Sequence, residues 1–298
     1  MERTSLNNFG RWFLATEGGH VTDYDPVLVS KLRGEAARVI RAFSFAGAHV
    51  IIIGGLVPSL LVPKVEVGLE PHIGTPDLDL CLSVALVEGE VGEYERLEKC
   101  LRDAGFDMVR ENGAPVSWRW IGGSGTRITV EFFCAAAEGR EPGRLYRPRG
   151  VVGGKLSALV LAAGALIDRD VRDVEMEIEL PDGGGRSRQQ FRVAGPAGYL
   201  VAKADALRRR NKGKDAYDVV WLTECWPGGQ GALADEIKVS AIFDDLQPTL
   251  TVLREEFADI DAAGAVRYGR FMANDTTTSD VHARRAVGAM GALFAALK

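Results

Sequence analysis

The sequence has few of the features that indicate a disulfide framework, a thiolate metal site or a membrane span. Its four cysteines, Cys81, Cys100, Cys134 and Cys225, are widely separated and form no Cys-x-x-Cys pair. Cysteines scattered in this way are typical of reduced thiols in a cytosolic protein. No apolar run reaches the roughly 18 residues of a membrane span. The opening residues, MERTSLNNFGRWF, lack the basic and apolar regions of a secretory signal. We therefore expect a cytoplasmic protein with no membrane partner.

An excess of basic residues is also missing. The formal net charge is -5 over 298 residues, of which 46% are hydrophobic and 26% charged. This balance is typical of a folded globular chain and excludes a protein that attracts nucleic acid over its whole surface. A polyanionic partner would have to meet a local basic patch. The densest candidate comprises Arg208, Arg209, Arg210, Lys212 and Lys214, and a looser one comprises Arg140, Arg144, Arg147 and Arg149.

The stretch from residue 49 to residue 62 combines an apolar run with a glycine pair. Residues 49–53 predict a buried strand, Gly54-Gly55 a tight turn, and residues 56–62 a short helix. Glycine allows backbone amides to approach a phosphate group more closely than any other residue does. The pattern therefore predicts a strand, turn and helix that could hold a phosphate.

Two acidic residues follow in a second strand-like segment, where Asp77 and Asp79 alternate with Leu78 and Leu80. Because side chains alternate between the two faces of a strand, both carboxylates should point to one side and both leucines into the core. Two carboxylates this close repel each other unless a cation neutralises them, and Mg²⁺ favours carboxylate oxygens together with substrate phosphates. The pair predicts a Mg²⁺ site, although Asp-x-Asp also occurs as two solvated loop acids.

Two ordered blocks resemble a known superfamily. Gly54-Gly55, a helix and then Thr75-x-Asp77-Leu-Asp79-Leu is similar to the signature of the DNA polymerase β-like nucleotidyltransferases. The block from Lys203 to Asp218, KADALRRRNKGKDAYD, resembles a block of the AbiEii-type branch, which contains the nucleotidyltransferase toxins of type IV toxin-antitoxin and phage-defence systems. The resemblance implies an α/β (α+β) nucleotidyltransferase fold. A mixed-sheet lobe, residues 1–195, would be followed by a mainly helical C-terminal lobe, residues 196–298, with the active site in the cleft between them.

The resemblance also assigns roles to single residues. It implies nucleotide binding by Gly54, Gly55, Ser59, Thr75, Lys203 and Lys214. Two Mg²⁺ ions would be bound by Asp77 and Asp79, with Glu131 on a neighbouring strand as a third ligand; the alternative is that Glu131 is an exposed edge residue. Lys203 would neutralise phosphate charge and Asp215 would help to arrange that site; without the resemblance, this block would be interpreted as a surface lattice of ion pairs.

The implied reaction transfers a nucleoside monophosphate from an NTP to an acceptor hydroxyl and releases pyrophosphate. For the acceptor, the first hypothesis is RNA, especially the 3′ end of tRNA, with binding that weakens steeply as salt rises. A toxin of this kind would have a cognate antitoxin protein as its partner. The second hypothesis is a small molecule or a protein as acceptor. The third is a nucleotide-sensing module without catalysis.

Periodicity and turn residues predict the remaining elements. Helices are expected at 25–46 and 86–105, and residues 138–155 are expected to be a connection rich in glycine, proline and arginine. The predicted strands are 106–111, 116–121, 126–134, 171–180 and 190–193, and further helices are predicted to start near 195 and 214 and to span 233–243, 248–263 and 282–297.

Overall fold

The computed structural model describes residues 19–24, 26–43, 50–83, 91–147, 156–181, 183–273 and 275–298. The described residues fall into two compact units. The first, called here the sheet unit, lies within Asp25–Pro63 and Pro71–Tyr199. The second, called here the helical unit, lies within Met1–Tyr24, Lys64–Glu70 and Leu200–Lys298. The predicted division between residues 195 and 196 remains a prediction.

One mixed β-sheet organises the sheet unit. Its strands are β1 Val50–Ile53, β2 Asp77–Leu82, β3 Asp107–Glu111, β4 Ala114–Gly122, β5 Ile128–Ala135, β6 Leu145–Tyr146, β7 Ala158–Leu161, β8 Val171–Glu179 and β9 Arg186–Ala194. The main order is β3-β4-β5-β2-β1-β9-β8. Strand β2 runs antiparallel to β1 and parallel to β5. The short strand β7 pairs with the last residues of β5, beyond the part that pairs with β4.

The helices of the sheet unit include α1 Pro26–Ala42, α2 Val57–Leu61, α3 Val91–Asp103 and α4 Gly164–Ile167. The next helix, α5 Pro196–Arg209, is followed in the helical unit by α6 Gly213–Cys225, α7 Gly229–Lys238, α8 Gln247–Glu256, α9 Ala263–Met272 and α10 Thr276–Ala296. A 3-10 turn, Gly54–Leu56, joins β1 to α2. No helix within the described ranges combines the length and the apolar character needed to cross a bilayer.

Helix α1 covers one face of the sheet because its apolar residues recur at helical spacing. Leu32, Ala36, Val39 and Phe43 are buried, and the Phe43 ring lies 6.1 Å from that of Phe132 on β5. Since neighbouring residues on β5 point to opposite faces, Phe132 lies on the helix-covered face and Glu131 on the other. The register places Asp79 beside Glu131, and therefore the acidic residues of β2 also face away from α1.

A buried carboxylate fastens the β4–β5 turn to α1. Glu35 is fully buried, and its Oε1 accepts hydrogen bonds from the backbone amides of Ser124, Gly125 and Thr126 at 2.9, 2.7 and 3.2 Å. Arg38 pairs with its other carboxylate oxygen at 2.9 Å. A carboxylate held by several amides and a guanidinium is well compensated for burial. This turn connects β4 and β5, the strands that carry Arg119 and Glu131.

The predicted mixed α/β architecture is confirmed, and the antiparallel meander of β3, β4 and β5 forms as expected. The expected connection at 138–155 contains β6, and β7 just beyond it is a strand that the sequence did not predict. The helix expected at 248–263 corresponds to α8, which ends earlier, at Glu256, and α9 is a further helix that the sequence did not predict. The final helix starts earlier than expected, at Thr276, where the Asp275 side chain accepts from the Thr278 amide as an N-cap.

Candidate functional site

The acidic pair lies on an interior strand. β2 has β1 on one side and β5 on the other, and Pro76 immediately precedes its first residue. Leu78 and Leu80 are completely buried, whereas Asp77 and Asp79 are partly exposed, which is the alternation expected from the sequence. The Asp77 amide donates a 3.3 Å hydrogen bond to Thr75 Oγ1, so Thr75 orders the backbone where the strand begins.

The glycine pair packs directly against this acidic segment. Gly54 has φ +72°, and a Cβ at that position would lie 1.9 Å from Asp79 Oδ2. A Cβ on Gly55 would lie 2.9 Å from the Cβ of Thr75. Both distances are too short for an alanine to fit without movement, and the left-handed conformation of Gly54 adds strain for any other residue. The two halves of the predicted motif are therefore one packed site, in which the Asp79 carboxylate occupies the space that a side chain at residue 54 would need.

Glu131 lies beside Asp79 but is bound to an arginine. β5 pairs with both β2 and β4, so the interpretation of Glu131 as an exposed edge residue is wrong. Its Oε1 accepts from Arg119 Nε at 2.7 Å, and Arg119 Nη1 pairs with Glu111 Oε1 at 2.8 Å. Glu131 is positioned where a third carboxylate could bind a metal ion beside Asp79, and its side chain forms an ion pair with Arg119.

Ser59 lies inside the sheet unit. Its side chain is buried, and its hydroxyl donates to the Leu56 carbonyl at 2.9 Å. Its own carbonyl accepts from Arg33 Nη2 at 2.5 Å. These contacts stabilise the short helix α2, and the binding of phosphate by Ser59 remains a prediction.

The second predicted block forms a buried ion cluster in the helical unit. Lys203 Nζ on α5 lies 2.8 Å from Asp215 Oδ1 and 2.7 Å from Asp218 Oδ2 on α6. Arg210 Nε pairs with Asp215 Oδ2 at 2.6 Å, and Lys214 pairs with Asp218. The side chains of Lys203, Asp215 and Asp218 are at most 6% exposed. The interpretation of this block as a surface lattice is therefore wrong, because its centre is buried.

Mutual attraction outweighs burial for the central pair of this cluster. Burial disfavours the charged form of Lys203, but Asp215 and Asp218 more than compensate and raise its pKa. Burial also acts to raise the pKa of Asp215, but Lys203 and Arg210 together lower it well below its usual range. At Lys214 burial prevails and lowers the pKa, although Asp218 opposes the shift. The Lys214 Nζ lies 5.6 Å from the centroids of both the Tyr24 and Tyr217 rings, within the range of cation-π attraction.

These ion pairs reduce the basic patches expected from the sequence. Arg210 and Lys214 are paired with aspartates, and Arg209 Nε pairs with Asp205 at 2.7 Å, whereas Arg208 is exposed. In the looser patch Arg140 is buried, with its guanidinium carbon 5.4 Å from the centroid of the Tyr146 ring. Arg149 lies outside the described residues.

The sequence did not identify Arg119 or Glu111 as members of an ion cluster, and it placed Arg210 in a basic patch without naming Asp215 as its partner. The available signal for Arg119 was a cationic residue between Trp118 and Trp120 in a strand. Such a residue must reach a partner from the polar face of the sheet. Its partners depend on how β3, β4 and β5 align, which alternation alone does not give.

The carboxylate oxygens of Asp77 and Asp79 supply part of the coordination that a hard cation needs. Asp77 and Asp79 offer carboxylate oxygens on one face, while the described residues contain no group of three or more His, Cys, Asp or Glu side chains placed to hold a metal ion. Mg²⁺ commonly binds through one or two carboxylates and takes its other ligands from water and substrate phosphates. Two aspartates therefore suffice for Mg²⁺ when a nucleotide supplies phosphate oxygens.

Comparisons with known proteins give little beyond this geometry. No family model matches the chain, and no curated protein matches it. Among solved structures, an antigenic nucleotidyltransferase-like protein from Paracoccidioides brasiliensis is similar at 16% identity, over 79% of this chain and 93% of that one, with a TM-score of 0.38. A likeness this low does not establish a shared fold or activity. The function is therefore inferred from the residues of the chain itself.

Proposed function

We propose that the protein is a metal-dependent nucleotidyltransferase that moves a nucleoside monophosphate from an NTP to an acceptor hydroxyl. The observation that carries the proposal is the contact between the Asp79 carboxylate and Gly54, with Asp77 on the same face. It joins the glycine turn, where we propose that phosphates bind, to a pair of carboxylates that can hold Mg²⁺. Phosphoryl chemistry needs these two elements side by side, because the metal must contact the phosphates that the turn holds.

Each residue of the site has a role in this proposal. Asp77 and Asp79 would hold Mg²⁺, with Glu131 as a candidate third ligand. Gly54 and Gly55 allow Asp79 and Thr75 to pack against the turn. The backbone of the two glycines would bind the phosphates, and Thr75 would fix the start of β2. Bound Mg²⁺ would neutralise phosphate charge and acidify the acceptor hydroxyl.

The cationic residues of the helical unit receive their roles from the sequence resemblance. Lys203 and Lys214 would bind the nucleotide phosphates, with Asp215 arranging them. The Lys203 ammonium is balanced by two buried aspartates.

We further propose RNA as the acceptor, in particular the 3′ end of tRNA, and a role as a toxin with a cognate antitoxin. The similarity of the Lys203 to Asp218 block to the AbiEii-type branch supports this choice. Exposed Arg208 is suited to contact a polyanion, and Arg209, half-exposed beside Asp205, could exchange that carboxylate for a phosphate. Binding through such residues releases counterions and should weaken as salt rises.

The experiment incubates the purified chain with Mg²⁺, each α-³²P-labelled NTP in turn, and total tRNA. We expect one or more nucleotides to label the tRNA, and EDTA to abolish the label. Label on the protein itself, or on a small molecule from a cell extract, would replace RNA with the second class of acceptor. Nucleotide binding without transfer to any acceptor would contradict catalysis and favour a nucleotide sensor.

The test variant is Asp79→Ala, and its matched control is Asp173→Ala. Asp173 lies on β8 of the same sheet, its side chain is 54% exposed, and Arg192 is 4.0 Å away. Both variants lose one carboxylate from the same unit, so general effects of charge are equal. Only Asp79→Ala should lose the label. Equal losses in both variants would contradict the proposed site.

A further inference from the structure

Three charged residues form a row across adjacent strands on the face that carries the acidic pair. Arg119 on β4 is the register partner of Glu131 on β5, and Glu131 is the register partner of Asp79 on β2. Neighbouring strands lie about 4.8 Å apart, so Glu131 is within reach of both a cation held at Asp79 and the guanidinium of Arg119. A cation at Asp79 and Arg119 would therefore compete for one carboxylate.

Arg119 has a second carboxylate partner on the far side of this row. Its Nη1 lies 2.8 Å from Glu111 Oε1 of β3, while its Nε lies 2.7 Å from Glu131 Oε1. The Glu111 side chain is 33% exposed and that of Glu131 is 16% exposed. Arg119 can release Glu131 and still keep one ion pair, so the change costs one contact instead of leaving an isolated partly buried charge.

We propose that Arg119 is a positioning residue that controls the metal site through Glu131. It pairs with both Glu131 and Glu111 in the structure, and it keeps only Glu111 when a divalent cation recruits Glu131 as a third ligand beside Asp79. The inference rests on the proposed function, because it takes the acidic pair as the cation site. It also accounts for the lack of a preformed three-carboxylate group among the described residues.

Two substitutions should move metal affinity in opposite directions, and a third should cancel the effect of the first. Arg119→Met removes the competing cation, so Glu131 should join the site more readily and divalent binding should tighten. Glu111→Gln removes the second partner, so Arg119 should stay with Glu131 and binding should weaken. Glu131→Gln removes the shared ligand, so Arg119→Met should have no effect in the Glu131→Gln background. This dependence on Glu131 separates a positioning role from a general change of charge.

The experiment titrates each full-length variant with Mn²⁺ and counts free ions by electron paramagnetic resonance. Arg119→Met should lower the dissociation constant by about threefold to tenfold, the range expected when one partly buried ion pair no longer competes. The control is Arg188→Met on β9, which removes the same charge from an exposed pair with Glu175 at 3.6 Å. Arg119→Lys, which keeps a charge but cannot bridge two carboxylates in the same way, should be intermediate.

The outcomes distinguish this inference from the proposed function. Tighter Mn²⁺ binding in Arg119→Met but not in Arg188→Met, cancelled by Glu131→Gln, supports the positioning role. Equal Mn²⁺ affinities for Arg119→Met and Arg188→Met overturn the positioning role. The proposed metal site is still supported in that case if Asp79→Asn loses Mn²⁺ binding. If Asp79→Asn binds Mn²⁺ as the unmodified chain does, the proposed metal site itself fails. Circular dichroism of each variant identifies any that do not fold.

Discussion

The acidic residues of the two units differ in burial and in the groups that they contact. In the helical unit, Asp215 and Asp218 are buried and each contacts two cationic side chains. In the sheet unit, Asp77 and Asp79 are partly exposed and share one face, where the Asp79 carboxylate lies against a glycine. Aspartate side chains are thus buried in ion pairs in the helical unit and partly exposed in the sheet unit.

We infer that the aspartates of the helical unit serve stability and that those of the sheet unit serve the proposed chemistry. Buried aspartates with fixed cationic partners should matter for folding, because removing one partner leaves an uncompensated buried charge. Partly exposed carboxylates should contribute less to folding than the buried ion cluster does. Two carboxylates placed close together on one partly exposed face are typical of functional sites. The variants below test this division in each unit.

The largest effect on stability is expected from Lys203→Met. The substitution would leave Asp215 and Asp218 buried with less positive charge, and we expect a loss of about 3–5 kcal/mol in the free energy of unfolding. Urea denaturation followed by circular dichroism measures it. The control is Lys99→Met, which removes an exposed lysine 2.5 Å from Asp103. Its effect should be too small to resolve, and a similar loss in both variants would refute the special role of the buried cluster.

A somewhat smaller effect is expected from Gly54→Ala. The left-handed backbone should cost about 1–2 kcal/mol, and the overlap with Asp79 should add about 1–3 kcal/mol. The control is Gly68→Ala, where φ is +93° but no atom lies within 4 Å of the added Cβ. Urea denaturation should show only the backbone cost in the control. If the two variants are equally destabilised, the packing of Asp79 on Gly54 is not as tight as described.

A smaller, pH-dependent effect is expected from Asp215→Asn. Because the folded pKa of Asp215 is lowered, its stabilisation is present above the unfolded pKa of about 3.9 and is lost as pH falls through the folded value. The pKa of Lys203 is raised, so its stabilisation is present below the unfolded value of about 10.4 and is lost as pH rises through the folded one. Both contributions therefore persist through the neutral range.

Urea midpoints measured from acidic to neutral pH test this dependence. The unmodified chain should lose stability steeply below about pH 4, and Asp215→Asn should be less stable at neutral pH but show a shallower acid decline. Asp205→Asn is the control, because it removes a half-exposed acid from the same helical block. An unchanged slope in Asp215→Asn would mean that the ion pairs with Lys203 and Arg210 do not persist in solution.

Local patterns were enough to predict the centre of the sheet unit. The alternation of Asp77, Leu78, Asp79 and Leu80 fixed which side chains face the core, since the period of a strand is a local property. The apolar run before Gly54 likewise predicted β1 and the turn that follows. The contact of Gly54 with Asp79 was not predicted, since residues 25 apart must be brought together by strand pairing.

The rest depended on information that one sequence does not contain. The ion pair between Arg119 and Glu131 follows from the register of β4 against β5, which alternation leaves open. The sequence also did not show that two buried aspartates balance the charge of Lys203. Strand β7 was missed because its residues, ALVL, are apolar throughout and give no alternation to recognise.

We infer that Asp79 is kept for the proposed chemistry and not for stability. The most direct test measures, for Asp79→Asn, both the rate of nucleotide transfer and the free energy of unfolding. We predict that the rate of nucleotide transfer falls by about a hundredfold or more. The free energy of unfolding should stay within about 1 kcal/mol of that of the unmodified chain, or rise. A variant that keeps its transfer rate, or one that loses several kcal/mol of stability, would contradict it.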